Sequence, residues 1–362
     1  MKSSTGEHKP SGVRFRRIVF LLIFGATAVT ASAQYFGRNK VQYEKFDYQV
    51  LTTDHFQIYY YPEEEAAVRT AARMAERWYN RLARIFNHDL KGKQALIMYA
   101  SHPQFEQTTV LSELISEGTG GVTESFKRRI ILPFGASLDD TDHVIGHELV
   151  HAFQYDMALG GEGRANPQGG EGLARTPLFL IEGAAEYFSI GPEDPNTAMW
   201  MRDMIRRKKI PALKDLENYY KYFPYRYGQA VYAYIGGRWG DLVAARLMRD
   251  VVRGYDYRKA FTRVLGVTPE QFSKDWHEAL KAEYGLIEKS TEGPLNKAQV
   301  VVKGTEDVSL NCAPAVSPDG KNFVFISSRD LFSIEMFLGD ALTGKITRKL
   351  TKTSIDPHFQ SI

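Results

Sequence analysis

Residues 139–157 read DDTDHVIGHELVHAFQYDM, and this stretch sets the prediction for the whole fold. The acidic residues at its start favour a helix N-terminus. The apolar residues that follow recur at helical spacing, so we predict one helix over the stretch. His147, Glu148 and His151 lie near its middle in the pattern His-Glu-x-x-His. Residues four apart share one face of a helix, so the two imidazoles can point at a single ion.

The histidine pair predicts a metal site that needs a further donor. Zinc binds imidazole nitrogen at about 2.0–2.1 Å, and a catalytic zinc usually has three protein ligands plus water. Glu148 lies where its carboxylate can reach a water molecule at the metal rather than the metal itself. Glu182 is the candidate third ligand, because a carboxylate inside an otherwise apolar helix is costly unless it is paired or bound to a metal. The alternatives are a chance match on a core helix for the histidines and a solvated acid for Glu182.

The rest of the chain predicts a sheet followed by helices. Alternating, aromatic-rich segments indicate strands over 55–61 and 93–100, and the segment 120–134 indicates an extended strand or a hairpin. Apolar residues at helical spacing predict helices over 63–85, 177–189, 195–208, 225–238, 240–253, 256–264 and 268–284. Strands that come first and helices that come later favour the α+β class.

The end of the chain has a different pattern. Residues 286–308 predict a linker. Residues 309–362 alternate and are interrupted by turn residues, with strands predicted over 322–327, 334–338 and 345–350. This length matches about one four-stranded unit of a β-propeller.

The N-terminus predicts export. Basic residues precede a short apolar run, and Ala31-Ser32-Ala33 forms a cleavage site of the A-x-A type. We therefore predict a signal peptide over residues 1–33, with cleavage after Ala33. The apolar run is too short to span a bilayer, so we expect no transmembrane span in the mature chain. The predicted location is periplasmic or extracellular.

Composition excludes several classes of protein. The chain has 362 residues, of which 43% are hydrophobic and 25% are charged, as in a folded globular protein. Its one cysteine, Cys312, excludes an internal disulfide framework and a cysteine-based zinc finger. Residues 1–33 hold five of the 46 basic side chains and one of the 43 acidic ones, so the remainder is nearly neutral. We therefore expect no nucleic-acid partner.

Together these motifs resemble a known family. The pattern His-Glu-x-x-His, followed by a helix that reads IEGAAEY at residues 181–187, is similar to the gluzincin metallopeptidases, and in particular to bacterial peptidase MA-like domains. The resemblance implies a zincin-like peptidase domain over residues 34–285, with a small N-terminal sheet, the histidine helix and a helical subdomain. It implies that Glu182 is the third ligand of one zinc ion. The second acid, Glu186, corresponds to a residue that hydrogen-bonds a zinc-ligating histidine, and the alternative is a surface carboxylate.

A tyrosine completes many gluzincin sites. The run Tyr225-Arg226-Tyr227-Gly228 is similar to the Tyr-x-x-Gly element of the family, whose tyrosine stabilises the oxyanion. The resemblance therefore implies this role for Tyr225. Tyr227 is the competing candidate, and both could instead be packing aromatics.

The resemblance also implies how the two parts work. Glu148 would be the general base of peptide hydrolysis, and the strand over Ile130–Phe134 would be the sheet edge that holds the peptide. Residues 309–362 resemble the start of a TolB-like propeller, and such propellers usually bind partners. An envelope protein is the partner that this implies. The 30 residues between His151 and Glu182 depart from the shorter spacing of related aminopeptidases, which leaves substrate specificity open.

Three functions are compatible with the sequence. The favoured one is a zinc-dependent peptidase, and an endopeptidase in preference to an exopeptidase, acting on peptides or proteins. The second is a non-catalytic or vestigial zincin that binds an envelope protein together with the propeller. The third is a zinc hydrolase for a non-peptide amide or ester. An intact Glu148 favours an enzyme, because a pure scaffold does not need a carboxylate beside the ion.

Overall fold

A computed structural model describes the chain over residues 44–111, 115–116, 118–125, 127–159, 173–254, 256–292, 298–305, 310–330 and 333–352. The predicted signal peptide lies outside these described residues, and so does the glycine-rich segment 160–172. The described residues form a sheet, a set of helices and a second, separate sheet. The α+β class predicted from the order of strands and helices is therefore confirmed.

The first sheet has five strands in the order β1-β2-β3-β5-β4. Its central strands β2, β3 and β5 are parallel, and both outer strands are antiparallel to their neighbours. The strands are β1 (Gln49–Thr52), β2 (Phe56–Tyr60), β3 (Gln94–Tyr99), β4 (Val122–Glu124) and β5 (Arg129–Pro133). The hairpin alternative for residues 120–134 is the correct one, since β4 and β5 pair antiparallel.

The strand nearest the histidine helix in sequence is not the sheet edge. We expected the edge at Ile130–Phe134, but β5 pairs with β3 on one side and with β4 on the other. Ile130 and Leu132 enter the main core, whereas Ile131 enters a smaller core on the opposite face. A strand that is buried on both faces is typically interior, and the edge of the sheet next to β5 is formed by β4.

Most of the remaining described chain is helical. The helices are α1 (Glu65–Phe86), α2 (His102–Glu106), α3 (Leu138–Leu159), α4 (Leu178–Ile190), α5 (Pro195–Arg206), α6 (Pro224–Trp239), α7 (Asp241–Val252), α8 (Tyr257–Leu265) and α9 (Pro269–Ser290), with 3-10 turns at Pro62–Glu64 and Leu213–Glu217. Each predicted helix is present. The helix α9 runs to Ser290, so the predicted domain boundary at residue 285 falls inside it.

The histidine helix α3 is fixed against the sheet by α1. Gly146 contacts the indole of Trp78, because a Cβ at this glycine would lie 2.8 Å from the Cε2 atom of the indole. The indole N–H of Trp78 also donates to Asp142 Oδ1 at 3.0 Å. Both Gly146 and Asp142 belong to α3, so α1 sets the position of the helix directly before His147.

The second sheet contains the three strands predicted near the chain end and one further strand, which precedes them. It contains β6 (Asn311–Val316), β7 (Asn322–Ser327), β8 (Glu335–Asp340) and β9 (Ile346–Lys349), all antiparallel in sequence order. Phe323, Phe325 and Phe337 are buried together in this sheet. Among the described residues, no helix combines the length and the apolar character that crossing a membrane requires.

Candidate metal centre

Both predicted ligand histidines project from one face of α3. The helix begins one residue before the predicted start and is capped by Ser137, whose hydroxyl accepts from the backbone N–H of Asp140 at 3.0 Å. His147 and His151 lie one turn apart in the middle of the helix, and both are buried. Their Nε2 atoms are 3.1 Å apart. The imidazoles therefore converge on one point, as the four-residue spacing predicts.

The third donor comes from α4. The carboxylate oxygen Oε2 of Glu182 lies 3.3 Å from His147 Nε2 and 3.2 Å from His151 Nε2. Bonds of 2.0–2.1 Å in a tetrahedral site place neighbouring donors about 3.3 Å apart. We call these three atoms, the two Nε2 atoms and Glu182 Oε2, the donor triangle. Their spacing is the one that a small divalent ion requires, and this group could hold a metal ion.

Acceptor oxygens at the far side of each imidazole favour a proton on Nδ1 and leave Nε2 as an acceptor. The Gln154 amide donates from Nε2 to the Ile181 carbonyl at 3.0 Å, so its Oε1 faces His151. His151 Nδ1 lies 2.8 Å from that oxygen and must donate to it. His147 Nδ1 lies 2.9 Å from Glu186 Oε1, which is also an acceptor. In neutral imidazoles with these tautomers, both Nε2 lone pairs point at Glu182 Oε2.

Three lone pairs that converge in this way favour a positive charge between them. Burial lowers the pKa of His147, but the nearby carboxylates of Glu182 and Glu186 outweigh burial and raise the pKa to about 10. Burial raises the pKa of Glu182, but the two imidazoles reverse this and hold it well below its usual range. The site therefore attracts a positive charge strongly, and a metal ion meets this demand at three donors at once.

Glu148 lies beside the donor triangle without belonging to it. Its buried carboxylate accepts a hydrogen bond from the hydroxyl of Thr123 at 2.6 Å. Thr123 is on the edge strand β4, and the preceding Gly121 contacts Glu148 closely, since a Cβ there would lie 3.0 Å from Glu148 Cγ. Contacts with the edge strand thus position the carboxylate of Glu148 between the sheet and the donor triangle.

Glu186 takes the position that the resemblance implies, and it belongs to a larger ionic group. Besides His147, its carboxylate lies 3.0 Å from the Arg226 guanidinium and 3.4 Å from His143 Nε2. Arg226 also pairs with Asp194 at 2.8 Å. Glu186 is buried, so the surface-carboxylate alternative is wrong. His143, Glu186 and the other nitrogen of His147 form a second group close enough to share an ion, but Arg226 already supplies a positive charge there.

The structure separates the two tyrosine candidates. The Tyr225 ring stacks on His147 with centroids 5.8 Å apart, and Tyr225 lines the same cleft as the donor triangle. Burial, followed by the charges of nearby carboxylates, raises the pKa of Tyr225, so its hydroxyl stays protonated and can donate. Tyr227 instead packs against Trp200 and Tyr222. Of the two, only Tyr225 lies at the cleft.

The donor triangle opens into a cleft of about 810 Å³. One wall is the edge strand with Gly121, Val122 and Thr123, and the opposite wall comes from the first turns of α4 and the 3-10 turn before α6. A cleft of this size accepts several residues of an extended peptide.

Thr123, Gln154 and Arg226 contact the candidate site residues but were not identified from the sequence. Gln154 is three residues after His151, a spacing that places both side chains on one helix face, so this signal was available. Arg226 had no comparable signal, because its contacts with Glu186 and Asp194 join segments 40 and 32 positions away in the chain. Comparison with known proteins adds no further residues. No protein-family model matches the chain, and no curated protein sequence matches it either.

Proposed function

We propose that the chain is a zinc-dependent peptidase, with a zincin-like domain that extends to the end of α9 at Ser290. The observation that carries the proposal is the donor triangle of His147, His151 and Glu182 with the carboxylate of Glu148 beside it. Two imidazoles and one carboxylate are a common ligand set for catalytic zinc, and they leave a coordination position for water or substrate. Calcium and magnesium prefer six or more oxygen ligands, which this site does not offer among the described residues.

The side chains around the triangle have complementary roles in hydrolysis. Zinc held there would supply Lewis acidity, which lowers the pKa of a water molecule and polarises the scissile carbonyl. Glu148 would accept a proton from that water and pass it to the leaving amine. The hydroxyl of Tyr225 would donate to the oxyanion of the tetrahedral intermediate. Glu186 and Gln154 would keep the two imidazoles in the orientation that presents Nε2.

An extended peptide fits the edge of the first sheet. β4 is an outer strand whose residues line the cleft, so a substrate could add to it as a further strand. Such an edge lets a chain continue on both sides of the metal, which favours internal cleavage over removal of end residues. Export by the signal peptide, and an envelope partner bound through the second sheet and a propeller, belong to the same proposal.

The decisive experiment compares two variants in a peptide-library digest with and without a chelator. Glu148→Gln removes the base but keeps the shape of the side chain, so we expect it to retain about one zinc and to lose at least about a hundredfold in activity. Asp139→Asn is the matched control, since it makes the same change at an exposed position of α3 and should retain activity.

Other outcomes would favour the competing functions. If the wild type holds zinc but cleaves no peptide, with or without Glu148, the binding-scaffold function gains support. Hydrolysis of simple esters or amides that depends on Glu148, with peptides untouched, would instead favour the third function.

A further inference from the structure

The exposed aromatic side chains of the described residues are concentrated in one region. Trp200, Tyr219, Tyr220 and Phe223 are exposed to 38%, 45%, 88% and 44%, and the other described aromatic side chains are buried or half-buried. We call these four residues the aromatic surface. They come from α5 and from the turn that precedes α6, and the ring contact between Trp200 and Phe223 joins these two segments, which are 23 positions apart. Exposed aromatic groups of this kind typically mark interaction sites.

Ring contacts connect the aromatic surface to the candidate metal centre. The Trp200 ring lies 5.6 Å from Phe223, and Phe223 lies 5.1 Å from Tyr225, measured between centroids. Tyr225 in turn stacks on the metal-ligand candidate His147. Tyr219 lines the metal cleft directly. The aromatic surface therefore adjoins the cleft, because Tyr219 lines the cleft and Phe223 and Trp200 are connected to it by ring contacts through Tyr225.

The turn that carries two of these side chains is ordered by its own hydrogen bonds. The Asn218 carbonyl accepts from the backbone N–H groups of Lys221 and Tyr222 at 3.1 and 3.0 Å. The rings of Tyr219 and Tyr220 lie 4.2 Å apart, and their hydroxyls are 2.8 Å apart. The aromatic surface is thus presented in a defined shape, which lowers the entropy cost of binding to it.

We propose that the aromatic surface binds a bulky apolar side chain of the polypeptide substrate, outside the residues that flank the scissile bond. This rests on the proposed peptidase function and specifies its substrate. The three ring-to-ring steps place Trp200 no more than about 17 Å from His147, and an extended peptide covers about 3.4 Å per residue. The preferred side chain is therefore at most about five residues from the bond that is cut. Substrates that offer such a side chain in an extended segment are unfolded proteins or long peptides.

The test uses the Glu148→Gln protein loaded with zinc, so that binding is measured without cleavage. The probes are fluorescein-labelled 14-residue peptides of alanine, serine and glycine, in which a single tryptophan is moved along the sequence. We expect one or two tryptophan positions to bind about tenfold more tightly than the tryptophan-free peptide, as measured by fluorescence anisotropy. Trp200→Ala and Tyr220→Ala should each remove most of this preference, whereas Leu242→Ala, which changes an exposed apolar residue on α7, should not.

Each other outcome has a definite meaning. An unchanged preference in both aromatic variants overturns the proposal. Binding to anionic vesicles that is lost in Trp200→Ala would also overturn it, because the aromatic surface would then bind a membrane. Self-association in sedimentation that is lost in Trp200→Ala would overturn it as well, because the aromatic surface would then bind a second copy of the chain. If the wild type cleaves no peptide but the tryptophan preference exists and depends on Trp200, the proposed function fails and the aromatic surface stands as a peptide-binding site.

Discussion

The close crossing of α4 and α6 gives the sharpest test of how the site is built. The helices meet at Gly183 and Gly228, backbone against backbone. A Cβ added at Gly228 would lie 2.1 Å from the Phe179 carbonyl oxygen and 2.6 Å from Gly183 Cα. An ordinary Cβ contact begins at 3.4 Å, so Gly228→Ala must separate the two backbones by about 1 Å. Glu182 lies directly beside one of these glycines, and Tyr225 lies one turn before the other.

We expect Gly228→Ala to lower both stability and activity. Overpacking of this kind costs about 1–3 kcal/mol of the free energy of unfolding, although alanine by itself favours a helix by about 1 kcal/mol over glycine. A 1 Å displacement of Tyr225 relative to the ligands should lower kcat about a hundredfold. Urea unfolding followed by circular dichroism measures the loss of stability, and peptide cleavage measures the loss of kcat. Zinc content shows whether the metal is retained.

The matched control is Gly237→Ala on the same helix. A Cβ at Gly237 meets nothing within 4 Å, so only the helix propensity changes and the protein should gain about 0.5–1 kcal/mol. If Gly228→Ala unfolded at the same urea concentration as Gly237→Ala and retained wild-type kcat, the close backbone contact between α4 and α6 would be contradicted.

Three further predictions concern ionic groups. Glu182→Ala removes one donor of the triangle, so zinc measured after dialysis against a weak chelator should fall well below one per chain, and full retention would exclude the residue as a ligand. Arg226→Gln removes the partner of Glu186, and we expect zinc affinity to fall about 10–100-fold, with Arg238→Gln at an exposed ion pair as the unaffected control. Asp156→Asn should cost about 2 kcal/mol at neutral pH, because the buried carboxylate pairs with His88 and with a guanidinium. Burial raises the pKa of Asp156, but these partners outweigh it and lower the pKa, so this stabilisation is present above about pH 4 and is lost as the pH falls through the lowered pKa. A stability difference between wild type and variant that did not shrink in acid would contradict that assignment.

Local patterns predict the helices and most strands of this chain, because each has one buried face that repeats with its own period. The sequence analysis missed the helix α2 and the strands β1 and β6. The helix covers only five residues, and both strands are largely exposed, so none of the three has a long apolar pattern. The order of strands in the sheet depends on long-range pairing instead. The continuous run Ile130-Ile131-Leu132 nevertheless indicates a strand buried on both faces, and that signal argues against an edge.

The choice between Tyr225 and Tyr227 shows what kind of information the sequence lacked. Residues two apart on a helix point to nearly opposite sides, so one of them had to face away from the cleft. The sequence does not state which side of α6 faces α4. Gly228 determines it, because the side without a Cβ is the one that can approach Gly183. Tyr225 lies close to the same side as Gly228, three residues away, and Tyr227 does not.

The contact between Gly183 and Gly228 gives a physical reason for the two glycine motifs of the site. Glu182-Gly183 and Tyr225-x-x-Gly228 each place a functional side chain next to a glycine, and the two glycines contact each other. The distance between Glu182 and Tyr225 is then set by backbone contact, which is stiffer than contact between flexible side chains. Arg226 adds a second link across the same helix pair by pairing with Glu186 of α4. Loosening the glycine contact alone should therefore affect Tyr225 on α6 before it affects the two histidines, since both histidines belong to α3. Zinc affinity that fell more than kcat in Gly228→Ala would show that α4, rather than α6, is the helix that moves.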